Sequence, residues 1–147
     1  MTKRIKYYQN WPSMLNEFIV SRANSPFEWG THDCCISACE MVLTLSGIDL
    51  AVDFRGYSTE EEAIQIMKHY GGIENIAMRG AKEYNAKRIE PPLAKRGDLV
   101  SIKQTRSQFS VSLAIVSLNP TLVLVPDDIG WEAHPITDAR MAWRVGE

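Results

Sequence analysis

The stretch Phe27-Glu28-Trp29-Gly30-Thr31-His32-Asp33-Cys34 sets an imidazole, a carboxylate and a thiol side by side behind turn-forming residues. Asp33 is suited to cap a helix, which places Cys34 in that helix's first turn. A thiol there feels the positive end of the helix dipole, which lowers its pKa from about 8.5 and raises the thiolate fraction at neutral pH. The chemistry this offers is nucleophilic attack on a carbonyl carbon. A free cysteine is more often a small buried hydrophobe, and position alone leaves both readings open.

Acyl transfer by a thiol also needs a base to form the thiolate and an acid to protonate the leaving amine. The chain has three histidines. His32 sits two residues before Cys34 and approaches it from the loop, where a histidine is more often simply solvated. His134 lies on a late strand or turn, from which it reaches a cleft only by a changed topology. His69, near the end of a helix, is better explained by that helix's negative terminus.

A metal site built from His32, Cys34, Cys35 and Cys39 lacks the second ligand cluster that structural zinc sites use, so neither a metal nor a cofactor is expected. Cys35 and Cys39 face one way on the helix and are expected in the core. Cys34 and Cys35 are adjacent, which disfavours a bridge between them, and free thiols are the default. Among the tryptophans, Trp29 and Trp143 are expected to pack the core, with Trp29 also a candidate for lining a groove. Trp131, beside Gly130, is the best candidate for an exposed partner contact.

The elements that must position these residues are readable from periodicity. Trp11, Met14, Leu15, Phe18 and Ile19 recur at helical spacing over residues 11 to 22, with Pro12 tolerated in the first turn. A second helix is predicted from Cys34 to Leu45, stopped by Ser46-Gly47, with Cys35, Ala38, Cys39, Val42 and Leu43 as its apolar stripe. Thr59 to Tyr70 opens on a capping-box pattern with Glu62 and closes at Gly71-Gly72, and a fourth helix runs from about Gly72 to Arg79. Pro91 to Asp98 reads as an extended lead-in to a sheet. Strands follow over Leu99–Ile102, Ser110–Ser117, Leu122–Pro126, Trp131–His134 and Met141–Val145, with turns that fit an antiparallel meander.

At 147 residues, without repeats or linkers, one α+β domain spanning 1–147 is expected. The balance of 16 basic and 18 acidic residues gives no broad electrostatic reason to bind nucleic acid or an anionic membrane. No run of eighteen apolar residues exists, so no membrane insertion is expected, and Met1-Thr-Lys-Arg-Ile-Lys6 is not followed by the apolar segment of a secretory signal.

Four motifs occur in order: Trp29-Gly30-x-x-Asp33-Cys34, Arg55-Gly56-Tyr57, Arg96-Gly97-Asp98-Leu99-Val100 and Ala142-Trp143-Arg144. Together they resemble the NlpC-type cysteine peptidases, which share a papain-like core. More closely they are similar to a tail-associated branch of that superfamily found in bacteriophages and prophages. The resemblance covers nearly the whole chain and implies N-terminal helices packed on a C-terminal antiparallel β-meander or half-barrel, with Cys34 in the nucleophile position.

The resemblance also implies a catalytic histidine at the start of the strand after Gly97-Asp98-Leu99-Val100, where this chain has Ser112, and a third polar residue near Leu122 to Val125, where all four residues are apolar. Removing one member of such a catalytic unit costs on the order of 10⁴ to 10⁶ in turnover. The expectation is therefore a structural or assembly component of a phage tail tip or baseplate, located in the virion tail and docking onto hub or tail proteins. The alternative is an active amidase or endopeptidase cutting peptidoglycan stem peptides, with Cys34 served by His32 or His134.

Overall fold

The computed structural model describes residues 3–103 and 109–146. Helix α1 spans Trp11–Ser21, with Pro12 in its first turn and Leu15 and Phe18 buried. Helix α2, Cys34–Ser46, begins at Asp33, whose Oδ1 accepts from the Ile36 backbone N–H at 2.8 Å, and ends at Gly47 in the left-handed region, φ 80°. Leucine, isoleucine, alanine and cysteine side chains are buried almost all round it, which makes α2 the central helix of the fold.

Helices α3 (Glu60–Tyr70) and α4 (Ile73–Tyr84) are peripheral. Only Ala63 of the first, and Ile73 and Ile76 of the second, are buried. Thr59 caps α3 through Glu62 N–H, while the Glu62 carboxylate reaches back to Ser58 N–H at 3.1 Å, the reciprocal pattern expected from the sequence. Helix α4 continues five residues past the predicted end at Arg79, because Ala81 and Tyr84 prolong its apolar stripe across Gly80.

Six antiparallel strands form one sheet: β1 (Lys87–Ile89), β2 (Leu99–Lys103), β3 (Val111–Val116), β4 (Leu122–Pro126), β5 (Trp131–Pro135) and β6 (Ala139–Arg144), in the order β1-β6-β2-β3-β4-β5. Strands β2 to β5 are the predicted meander. The departure is β6, which returns across the sheet to lie between β2 and a short edge strand, β1, that the sequence did not announce. The predicted extended segment after Ile89 is instead a 3₁₀ turn over Pro91–Leu93, where two prolines fix φ near the helical value.

Alternation divides the sheet's side chains between two cores. Leu99, Leu113, Ile115 and Trp143 face the helices, and Val100, Ile102, Ala114, Val116, Val123, Val125 and Ala142 form a second cluster with Ala94. Burial on both faces explains why these strands read as nearly continuous apolar runs. Each fully buried branched side chain contributes on the order of 1.5–3 kcal/mol.

Two of the sequence motifs brace this sheet. Asp98 accepts from Lys95 N–H at 2.8 Å and from Arg144 Nε at 3.0 Å, and Arg144 also donates to the Leu93 carbonyl. Gly-Asp and Ala-Trp-Arg are thus two ends of one clamp, buried at Asp98 and partly exposed at Arg144. α+β architecture follows directly from these elements, and no helix among the described residues is long and apolar enough to cross a membrane.

Candidate functional site

The ladder between β3 and β4 consists of Ile115↔Leu124 and Val116↔Val123. Beyond it a cavity of about 290 Å³ opens, with Val111 and Ser112 on one side and Val125 to Asp128 on the other. The first turn of α2 closes the gap, bringing Cys34 to the cavity wall. Phe27, Trp29 and Phe109 line another wall, the rings of Phe27 and Trp29 meeting edge-on at 4.8 Å and those of Trp29 and Phe109 at 5.8 Å.

The loop before α2 is fixed by Asp33. Its Oδ1 caps the helix, its Oδ2 accepts from Gly30 N–H at 2.7 Å, and the same oxygen accepts a short hydrogen bond from the Tyr57 hydroxyl. Gly30 has φ 81°, and a Cβ there would run into the Tyr57 carbonyl oxygen, so this turn requires glycine. Burial, and then the Asp33 charge, push the Tyr57 phenol upward, so it stays a hydrogen-bond donor.

The Arg-Gly-Tyr motif therefore supports the site. Arg55 binds Asp49 through Nε at 2.7 Å and Glu40 of α2 through Nη1 at 2.8 Å, which aims the following Tyr57 at Asp33. The sequence singled out these three residues without assigning them this role.

Cys34 corrects an expectation. Its thiol is not acidified but pushed up to about 12, first by burial and second by the neighbouring Asp33 charge. Hydrogen bonds from the Leu113 backbone N–H, the Ser112 hydroxyl and the Cys35 N–H oppose this and do not prevail. The net rise from an ordinary 9.0 is worth about 4 kcal/mol, whereas a helix terminus supplies about 0.3–2 kcal/mol. Cys34 remains partly exposed to the cavity, as a protonated thiol at neutral pH.

Ser112 is the side chain that meets this thiol, at the place where the sequence resemblance implies a histidine. None of the three histidines lines the cavity. His32 is neither solvated nor aimed at Cys34. It is 2% exposed, its Nε2–H donates to the Gly130 carbonyl at 2.8 Å, and its Nδ1 accepts from Ser37 Oγ at 3.0 Å. Arg22, a donor only, lies 3.5 Å from the same Nδ1, which fixes that tautomer. Burial holds the imidazole below its usual pKa. His32 thus ties α2 to the β4–β5 turn as a neutral structural residue.

His134, on β5 opposite Val123, has Nε2 2.7 Å from Glu132 Oε1, close enough for an ion pair when protonated but outside hydrogen-bond geometry. It does not enter the cavity. His69 sits in the last turn of α3, as its reading from the helix terminus requires.

Trp131 is half-buried rather than exposed: its ring meets His32 edge-on at 4.9 Å and lies tilted against Phe18, and its indole N–H donates to the Ile19 carbonyl at 2.9 Å. Trp29 lines the cavity, whereas Trp143 is buried in the core. Cys35 and Cys39 are buried and their thiols contact each other, which pushes Cys35 well above the ordinary range. Among the described residues no group of three or more His, Cys, Asp or Glu side chains is arranged to hold a metal.

Residues the sequence reading missed are Phe27, Phe109, Glu60 and the Asp127-Asp128 pair, all of which border the cavity. Phe27 belongs to the run that leads into Cys34. The others come from distant segments and carried no local signal.

Residues 6–145 match the family described as Domain of unknown function (DUF6950). The chain belongs to that family. The matched span runs from Lys6, just before α1, through β6, so the whole sheet and the Cys34 cavity lie inside the DUF6950 domain. No curated protein matches this chain.

Proposed function

We propose that this DUF6950 domain is a catalytically silent, papain-like/NlpC-like domain that serves as a structural or assembly component of a bacteriophage tail tip or baseplate. The tail assignment rests on the four-motif resemblance in the sequence. The observation that carries the silent site is the Ser112 hydroxyl against a protonated Cys34 thiol, with every histidine engaged or placed elsewhere. A serine hydroxyl neither deprotonates a thiol nor protonates a leaving amine near neutral pH. The motifs themselves act as braces: Arg55 and Tyr57 hold the Asp33 loop, and Asp98 holds Arg144.

Two experiments test the two halves. Purified protein incubated with peptidoglycan is expected to release no new amino groups above a Cys34→Ala control. Release that disappears in Cys34→Ala establishes the amidase alternative instead. In particles purified from a lysate of a host carrying the encoding phage or prophage, mass spectrometry is expected to find the chain with the tail fraction, and its absence there refutes the structural role.

A further inference from the structure

Helix α4 meets the rest of the fold partly through small residues. Ala77, Gly80 and Ala81 share one face at helical spacing, and they line a second cavity of about 560 Å³ between α4 and the sheet. Leu99 of β2, Leu113 of β3 and Trp143 of β6 line it from the sheet, and Ala38 and Cys39 line it from α2. Phe54 and Tyr70, whose rings meet at 6.0 Å, contribute an aromatic wall. The volume lies within the usual span of small-molecule sites, about 300–1,000 Å³. No residue is shared with the cavity beside Cys34.

One buried group in this lining has unfinished hydrogen bonding. Trp143 is 3% exposed, and its indole N–H has no hydrogen-bond partner among the described residues, whereas the Trp131 indole donates to the Ile19 carbonyl. A buried indole ordinarily finds an acceptor, because an N–H removed from water without one is destabilising. The other buried side chains of the lining cannot supply it: Ile5, Ile76, Leu99, Leu113 and Val145 are hydrocarbon, and the Cys39 sulfur is a weak acceptor. The fold leaves that acceptor to whatever enters the cavity.

The same lining restricts what can enter. Asp53, Arg79, Lys82 and Glu83 are exposed, and none of the buried lining residues is charged, so a carboxylate or ammonium beside Trp143 would be desolvated without a counter-charge. No buried lining side chain offers an oxygen or nitrogen acceptor, so an alcohol or primary amide finds no side-chain partner there for its own hydrogens. We propose that this cavity binds an uncharged, largely apolar molecule whose polar group is a carbonyl oxygen without an attached donor, as in a small ketone or ester. The oxygen accepts from Trp143 Nε1–H, and the hydrocarbon part lies against Ala77, Ala81 and Leu113. Binding is non-covalent and rests on neither the tail role nor the silent Cys34 site.

The test is a ¹H–¹⁵N NMR titration of the full chain with acetophenone, with ethylbenzene as the analogue that lacks the oxygen and benzoate as the charged one. Acetophenone is expected to give saturable shifts centred on α4 and β6 and to move the Trp143 indole N–H downfield, ethylbenzene to bind without that downfield shift, and benzoate not to bind. In Trp143→Phe, which keeps a ring, the affinity for acetophenone relative to ethylbenzene is expected to fall about fivefold, the worth of one net hydrogen bond. Ala77→Leu/Ala81→Leu fills the cavity from α4 and is expected to abolish binding of both compounds while the amide spectrum stays dispersed; this variant and the indole shift decide the matter should Trp143→Phe fail to fold. The proposal is overturned by an indole N–H that acetophenone leaves in place, by an affinity ratio unchanged in folded Trp143→Phe, or by binding that survives in the filled variant. Absence of saturable acetophenone shifts, with the indole N–H in contact with water alone, overturns it equally.

Discussion

Attack of Cys34 on a small disulfide reagent, followed as the pH is raised, turns the burial of this thiol into a number. In a Cys35→Ala/Cys39→Ala background one thiol reports, and methyl methanethiosulfonate is small enough to enter the cavity. With its pKa pushed up to about 12, the thiolate fraction near about pH 7.5 is roughly 3 × 10⁻⁵, against about one-tenth for an ordinary cysteine of pKa about 8.5. That is a deficit of roughly 3,000-fold. The greater intrinsic nucleophilicity of a more basic thiolate recovers roughly 25- to 55-fold of it, at a Brønsted slope of about 0.4–0.5. The expected rate is therefore about 50- to 120-fold below that of free cysteine, rising about tenfold per pH unit with no plateau below about pH 10.

A plateau with a midpoint at or below about pH 8.5, or a neutral-pH rate equal to that of free cysteine, refutes the reasoning, because the helix dipole would then have outweighed burial. Ser112→His extends the assay. An imidazole beside the sulfur gives the thiolate a cationic partner, so the rate at neutral pH is expected to rise. An unchanged rate in a folded variant shows that position 112 does not address the thiol.

Asp33→Ala removes the α2 cap, worth about 1 kcal/mol, and leaves the buried Tyr57 hydroxyl without its acceptor, a further 1–3 kcal/mol or so; urea unfolding is expected to show a loss of about 2–4 kcal/mol, and Tyr57→Phe in the same background less than its additive cost. His32 has a folded pKa below its unfolded value, so the unfolded chain binds more protons between the two; its contribution is full above about pH 6.5 and declines as the pH falls toward the folded value, and a His32→Gln variant is expected to show a shallower decline in unfolding free energy over that interval. In Gly80→Ala the added methyl meets only Leu50 Cδ2 at 4.0 Å on a helical backbone, so thermal unfolding is expected to show a gain of about 0.5–1 kcal/mol; a loss would mean that α4 packs more tightly on its neighbours.

Local signals located the helices and most strands because those signals are themselves local chemistry. Asp33 and Thr59 cap through bonds to residues three positions on, and Gly47 and Gly71 end helices by adopting left-handed backbone. Strand β1 escaped notice because Lys87-Arg88-Ile89 has no apolar alternation, and it is a strand only through its pairing with Arg144, Trp143 and Ala142 of β6. Helix α4 runs past Arg79 because its apolar stripe resumes beyond Gly80, a residue that interrupts the local helix signal.

The sequence by itself determined that Asp33 starts a helix, that Cys34 stands in its first turn, and that no histidine lies on the strand facing it, since each of these is a matter of residue identity and near-neighbour spacing. Tertiary structure decided what those residues are worth. The Cys34 thiol is raised because the fold buries it beside the Asp33 charge, His32 is neutral because the fold buries its ring, with its Nε2–H donating to the carbonyl of Gly130 nearly a hundred residues away, and Trp131 is anchored because Ile19 offers a carbonyl. Solvation and long-range hydrogen bonding depend on which atoms the fold brings together, and spacing along the chain carries no record of that.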